Sequence, residues 1–108
     1  MIKNYPRRPE PEPDPRTALS AAVQAMLERT AASRGYGDSQ TAATVSIATY
    51  DNDLNPVFAA EAAVFKAFRS AVWTSCYAIM AQVVAGQRPI PTEAELLSEL
   101  PVITWPGV

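Results

Sequence analysis

The sequence predicts an all-α protein, a small helical domain built on one long helix, and three observations carry that reading. Apolar residues recur at helical spacing through the middle of the chain instead of alternating. Aspartate, asparagine and threonine stand just ahead of periodic runs, twice with proline immediately after them, as helix starts require. Glycine or proline closes those runs, apart from the second, which ends in turn-forming residues. At 108 residues the chain fits one domain with a modest core.

Residues 1–14 come before the first helix. Pro6, Pro9, Pro11 and Pro13 alternate there with charged residues, a composition that favours extended polyproline II and buries too little surface to fold alone. This segment reads as an arm, and residues 15–108 as the helical domain. Asp14 caps a helix near 15–34, with Pro15 at its first position; Leu19, Val23, Met26 and Leu27 form its apolar stripe, and Gly35 ends it. A second helix near 39–50 is expected in "DSQTAATVSIATY", with Asp38 or Ser39 as cap and Val45 and Ile47 as apolar members. Its threonines and β-branched residues lower helix propensity. The turn "YDNDLNP" follows, because Asn and Asp bond their own backbone and Asn55, preceding a proline, is pushed out of the α region.

From Asn55 as cap and Pro56 as first helical residue, "PVFAAEAAVFKAFRSAVWTSCYAIMAQVVA" runs as one helix near 56–85, about 45 Å at 1.5 Å per residue. Phe58, Phe65, Phe68, Val72, Cys76, Ile79 and Val83 share a stripe, while Ala60, Ala63, Ala67, Ala71, Ala78 and Ala81 gather on the other side. Trp73, Tyr77 and Met80 flank that stripe, so the apolar coverage is wider than a small helical domain needs, and a partner or a second copy of the chain would use the surplus. Gly86 releases the helix. Thr92 and Glu95 then form a capping box for a last helix near 92–100, with Leu96, Leu97 and Leu100 as its apolar edge and Pro101 as its stop. The tail "VITWPGV" is extended. Val102, Ile103 and Trp105 either fold back over the core or occupy a partner, with Trp105 as the anchor.

Composition disfavours several function classes. A net charge of −2 gives no footprint for nucleic acid or an anionic membrane surface. The chain has no histidine, and its one cysteine, Cys76, sits mid-helix on the apolar stripe, so a free thiol nucleophile lacks an activating base. No glycine-rich phosphate loop, cysteine pair or Ser-His constellation is present, and no cofactor or enzymatic activity is expected. Neither a signal-peptide h-region nor an uninterrupted membrane span is found, so the expectation is an unexported, soluble chain. Glu61 and Arg69 sit beside the apolar stripe, eight residues apart and beyond i, i+4 reach. They read as structural ion-pairing residues, each needing its own partner, for example a helix-one residue such as Arg34.

"NPVFAAEAAVFKAFRSAVW", followed by "VVAGQRPIPTEAELLSELPVITWP", resembles small proteins encoded near the tail-fibre genes of tailed bacteriophages. The resemblance spans roughly residues 17–106, including "RGYGDSQTAATVSIATY". It rests on Glu61 with Ala62, Phe68 with Arg69, Val72 with Trp73, Ala85 with Gly86, Pro91 with Thr92, Leu100 with Pro101, and Trp105 with Pro106. The Pro-rich arm departs from the pattern. The resemblance implies a non-enzymatic protein of tail morphogenesis that binds a tail-fibre or neighbouring tail polypeptide.

Two functions are therefore expected. One is an assembly chaperone acting in the host cytoplasm, with Trp73, Tyr77, Trp105, Ile103 and Tyr5 as partner-binding residues. The other is a structural virion component, an adaptor or decorating protein that contacts its neighbours through the arm.

Overall fold

The computed structural model describes residues 14–107, which form four helices and no strand: α1 (Pro15–Ser33), α2 (Ala43–Ala48), α3 (Pro56–Val84) and α4 (Glu93–Glu99). The all-α architecture on one long helix is thus what the chain adopts. The arm, with Tyr5, lies outside the described residues except for Asp14.

Helix starts follow the side chains that the sequence places there. Asp14 Oδ1 accepts from Arg16 N at 3.0 Å, and Asn55 Oδ1 accepts from Val57 N at 2.9 Å and Phe58 N at 3.3 Å. Each of these caps is followed by proline at the first helical position. Thr92 Oγ1 takes Glu95 N at 3.2 Å, which is the threonine's half of the capping box. The two longer helices end alike. Gly35 adopts φ 92°, so that Gly35 N reaches Ala32 O at 2.9 Å and Tyr36 N reaches Ala31 O at 3.4 Å. Gly86, at φ 74°, repeats this bonding at the end of α3 with Val83 O and Gln82 O. Both are Schellman ends, which satisfy carbonyls the helix leaves open.

The second helix departs from expectation. It spans only Ala43–Ala48, and neither Asp38 nor Ser39 caps it. Asp38 Oδ1 instead accepts from Gln40 N and Thr41 N, both at 2.7 Å, closing an Asx turn ahead of the helix. The cap comes from α1: the Glu28 carboxylate accepts from Ala43 N, from Thr44 N at 3.0 Å and from Thr44 Oγ1 at 3.0 Å. Gly37 makes this approach possible. It lies at φ 83°, and a Cβ there would stand 2.7 Å from Ala43 Cα.

α1 packs against α2 and α4, and α2 against α3. Leu19, Val23, Leu27 and Ala31 of α1 share one core with Ala43 and Ile47 of α2, with Leu96 and Leu100 at the C-terminal end, and with α3 from Ala62 to Ile79. The buried stripe of α3 is shorter than its sequence pattern. Phe58 is 40 % exposed and Val83 half-buried, while Glu61 and Ala62 join the buried face. On α2 only Ile47 of the two expected apolar members is buried, with Val45 57 % exposed. The alanine face of α3 meets solvent from Ala63 to Ala81, with Ala60 half-buried.

The tail folds back. Ile103 and Trp105 are half-buried against the core, while Val102 before them and Thr104 between them are exposed, the alternation of an extended segment. Of the two placements open to these residues, packing on their own domain is the one adopted.

Candidate functional site

α3 carries two contrasting surfaces, and the residues singled out from sequence divide between them. Around its first turns, buried Glu61 is the centre of a polar knot. Arg34, the C-cap of α1, donates through Nε to Glu61 Oε2 at 2.5 Å, and Tyr36 OH donates to Glu61 Oε1 at 3.1 Å. Both carboxylate oxygens are therefore engaged, as a nearly buried charge requires. Burial and the neighbouring Glu61 carboxylate push the Tyr36 phenol up to about 12. Arg34 Cζ also lies 5.1 Å from the Trp105 ring centroid, and Trp105 stacks on Phe65 at 6.4 Å and 11°. Glu61, Arg34, Trp105 and Phe65 thus form one continuous stack joining α1, α3 and the tail.

Arg69 does not take part. It is exposed and makes no ion pair with any described residue, so Glu61 and Arg69 have no common partner.

Beside the knot opens a cleft of about 430 Å³, walled by Tyr36, Tyr50 and Phe58 and closed by Asp38, Ser46 and Glu61. Its aromatic rings meet edge to face, Tyr36 with Tyr50 at 5.5 Å and Tyr50 with Phe58 at 5.2 Å. Both Glu61 oxygens are occupied, and Asp38 Oδ1 accepts two backbone N–H groups, which hold its carboxyl below the usual range. Cys76 is buried and desolvation pushes its thiol up, the reverse of what a nucleophile needs. No group of three or more potential metal-ligating side chains comes together among the described residues.

The second half of α3 is open. Trp73 is half-buried at the edge of the core, its ring 5.9 Å from that of Tyr77, which is 67 % exposed. Met80 is half-buried one turn on, and Val84 is 74 % exposed at the helix end. These side chains lie at i, i+4, i+7 and i+11, one strip along a rigid helix. Large apolar groups presented in a row are a docking surface in form, with Trp and Tyr as the side chains most often found at its energetic centre. No helix among the described residues is long and apolar enough to cross a membrane.

Of the expected partner-binding residues, the structure brings Trp73 and Tyr77 together, places Trp105 beside Arg34 of the knot and packs Ile103 against the core; Tyr5 lies outside the described residues. Sequence reasoning missed Tyr36 and Glu28. For Tyr36 the signal is "RGYG": glycines on both sides of the tyrosine admit the positive φ of a sharp turn after a helix, and both adopt it. For Glu28 there is no local signal, because its partners are fifteen and sixteen residues away. Comparisons with protein-family models, with curated proteins and with solved structures find no match for this chain.

Proposed function

We propose that the protein is a non-enzymatic, polypeptide-binding protein of bacteriophage tail morphogenesis, acting in the host cytoplasm as an assembly chaperone for a tail-fibre or neighbouring tail polypeptide. The observation that carries the binding part is the strip of Trp73, Tyr77, Met80 and Val84 on α3, where the most exposed aromatic side chain among the described residues sits beside a second one on one helix. The phage context rests on the sequence resemblance over residues 17–106. A helix of 29 residues, about 43 Å long, offers a straight surface suited to an extended or helical apolar segment before that segment reaches its own assembly partners.

The test is quantitative peptide mass spectrometry on purified particles, combined with capture of fibre protein from the lysate. Co-capture of fibre protein with the wild-type chain, lost on Tyr77→Ser, and absence of the chain from particles are the expected results. Stoichiometric recovery in the particle would replace the chaperone reading with that of a structural virion component.

A further inference from the structure

The slot that receives Trp105 is a second surface, separate from the open strip of α3. Two groups line it: the Arg34 guanidinium, 5.1 Å from the indole centroid, and the Phe65 ring, 6.4 Å away and nearly parallel at 11°. Glu61 fixes Arg34 from behind, so the cation is positioned whether or not the indole is present. Indole is the aromatic ring that binds a cation most strongly through its face, which makes such a slot selective for tryptophan over phenylalanine. Pro106 then restricts Trp105 to extended backbone, the shape the tail has here.

What holds the tail is confined to side chains. From Pro101 to Gly107 no hydrogen bond, backbone or side chain, is made to any described residue. An extended segment seated by two inward side chains and no backbone ladder can be replaced by any polypeptide that presents the same groups at the same spacing. We propose that the Arg34–Phe65 slot is a recognition site for an extended apolar segment of another polypeptide carrying tryptophan followed by proline, and that the chain's own tail occupies it as a competitor in cis. The tether from Leu100 gives that tail an effective concentration on the order of millimolar, so the slot opens only to a segment delivered at high local concentration. This inference concerns a different surface from Trp73 and Tyr77 and stands independently of the tail-morphogenesis reading.

The probe is a dye-labelled synthetic peptide, LPVITWPGV, titrated by fluorescence anisotropy against the full wild-type chain and the full-length Trp105→Ala variant. The variant should bind it about tenfold tighter or more, because its own tail no longer competes with an indole. A peptide with alanine in place of tryptophan should bind neither. Equal binding to both proteins, or none to a variant that keeps its helical circular dichroism, would overturn the proposal.

Should the variant lose its fold, the wild-type chain decides. Excess unlabelled peptide should move the Trp105 indole N–H resonance to its free position, and an unmoved resonance would overturn the proposal. A concentration-dependent rise in mass of the wild-type chain, abolished by Trp105→Ala, would assign the slot to a second copy and overturn the assignment to a partner segment.

Discussion

The first half of α3, from Pro56 to Arg69, and its second half, from Ser70 to Val84, both carry aromatic side chains on a single uninterrupted helix, yet they meet different surroundings. Around the first half the chain gathers Arg34 and Tyr36 from the end of α1, Tyr50 from beyond α2, and the returning tail. Around the second half, the core takes Val72, Cys76 and Ile79 and leaves Tyr77 and Val84 in solvent. The difference teaches which aromatic residues are structural. Trp105 and Trp73 look alike in sequence, each next to apolar neighbours, but one closes a stack on its own domain and the other borders an open strip. Aromatic content alone does not separate the two halves; what separates them is whether another described segment covers the rings.

The sharpest way to break this contrast is Glu61→Ala. It removes the acceptor of both the Arg34 guanidinium and the Tyr36 hydroxyl, and the expected loss of stability is about 3 kcal/mol, the low end for a broken buried pair because the Arg34 side chain is about a third exposed. Urea unfolding followed by circular dichroism reads it, and an unchanged midpoint would mean the knot is not structural.

Trp105→Ala comes next, at about 2 kcal/mol, less than for a fully buried tryptophan because the ring is half-buried. Capture of a partner through the α3 strip should survive this change while the melting temperature falls. A variant that melts like wild type would place the tail outside the fold's stability.

Glu28→Gln should cost about 1 kcal/mol, as loss of a helix cap does. It also carries a pH signature. The N–H of Thr44 foremost, then those of Ala43 and the Thr44 hydroxyl, hold the Glu28 carboxyl below the usual carboxylate range despite some desolvation. The folded chain therefore binds this proton less readily than the unfolded chain. The stabilisation is complete above the ordinary carboxylate range and is lost as pH falls through the lowered folded-state value. Unfolding midpoints measured across the acid range should fall less steeply in Glu28→Gln than in wild type, with residual slope from Asp14, Asp38 and Glu99, which are lowered by their own partners.

The smallest effect on folding belongs to the open half. Tyr77→Ser should leave stability within about 0.5 kcal/mol of wild type, as surface changes do. The same change should weaken partner binding by about 2 kcal/mol, measured by titration calorimetry with the captured polypeptide. A large fall in melting temperature would show that the strip is covered after all.

Legibility from sequence followed the range of the interactions. The starts of α1, α3 and α4 were readable because Asp14, Asn55 and Thr92 act on amides two or three residues away. The ends at Gly35 and Gly86 were readable for the same reason. α2 was misjudged because its cap arrives from Glu28, and Asp38, the apparent cap, is consumed by the turn before it. In the candidate site, Arg34 is legible as a partner for a charge on α3, and of the two charges only the Glu61 carboxylate can pair with a guanidinium; the second donor, Tyr36, depends on the loop that follows α1. The covering of Phe65 by Trp105 was one of two open outcomes, since nothing local to "VITWPGV" says which way an extended tail turns.

The borrowed cap on α2 bears on the order in which the chain folds. A six-residue helix is far below the roughly 12 to 15 residues at which an isolated helix becomes even marginal. Its first amides find their acceptor only on Glu28, so α2 has neither length nor a cap of its own until α1 is formed and beside it. α1 can begin with its own Asp14 and end with its own Gly35, whereas α2 is a product of docking. In native-state hydrogen exchange the Ala43 and Thr44 amides should therefore open together with the α1–α2 contact, and in refolding their protection should trail that of α1.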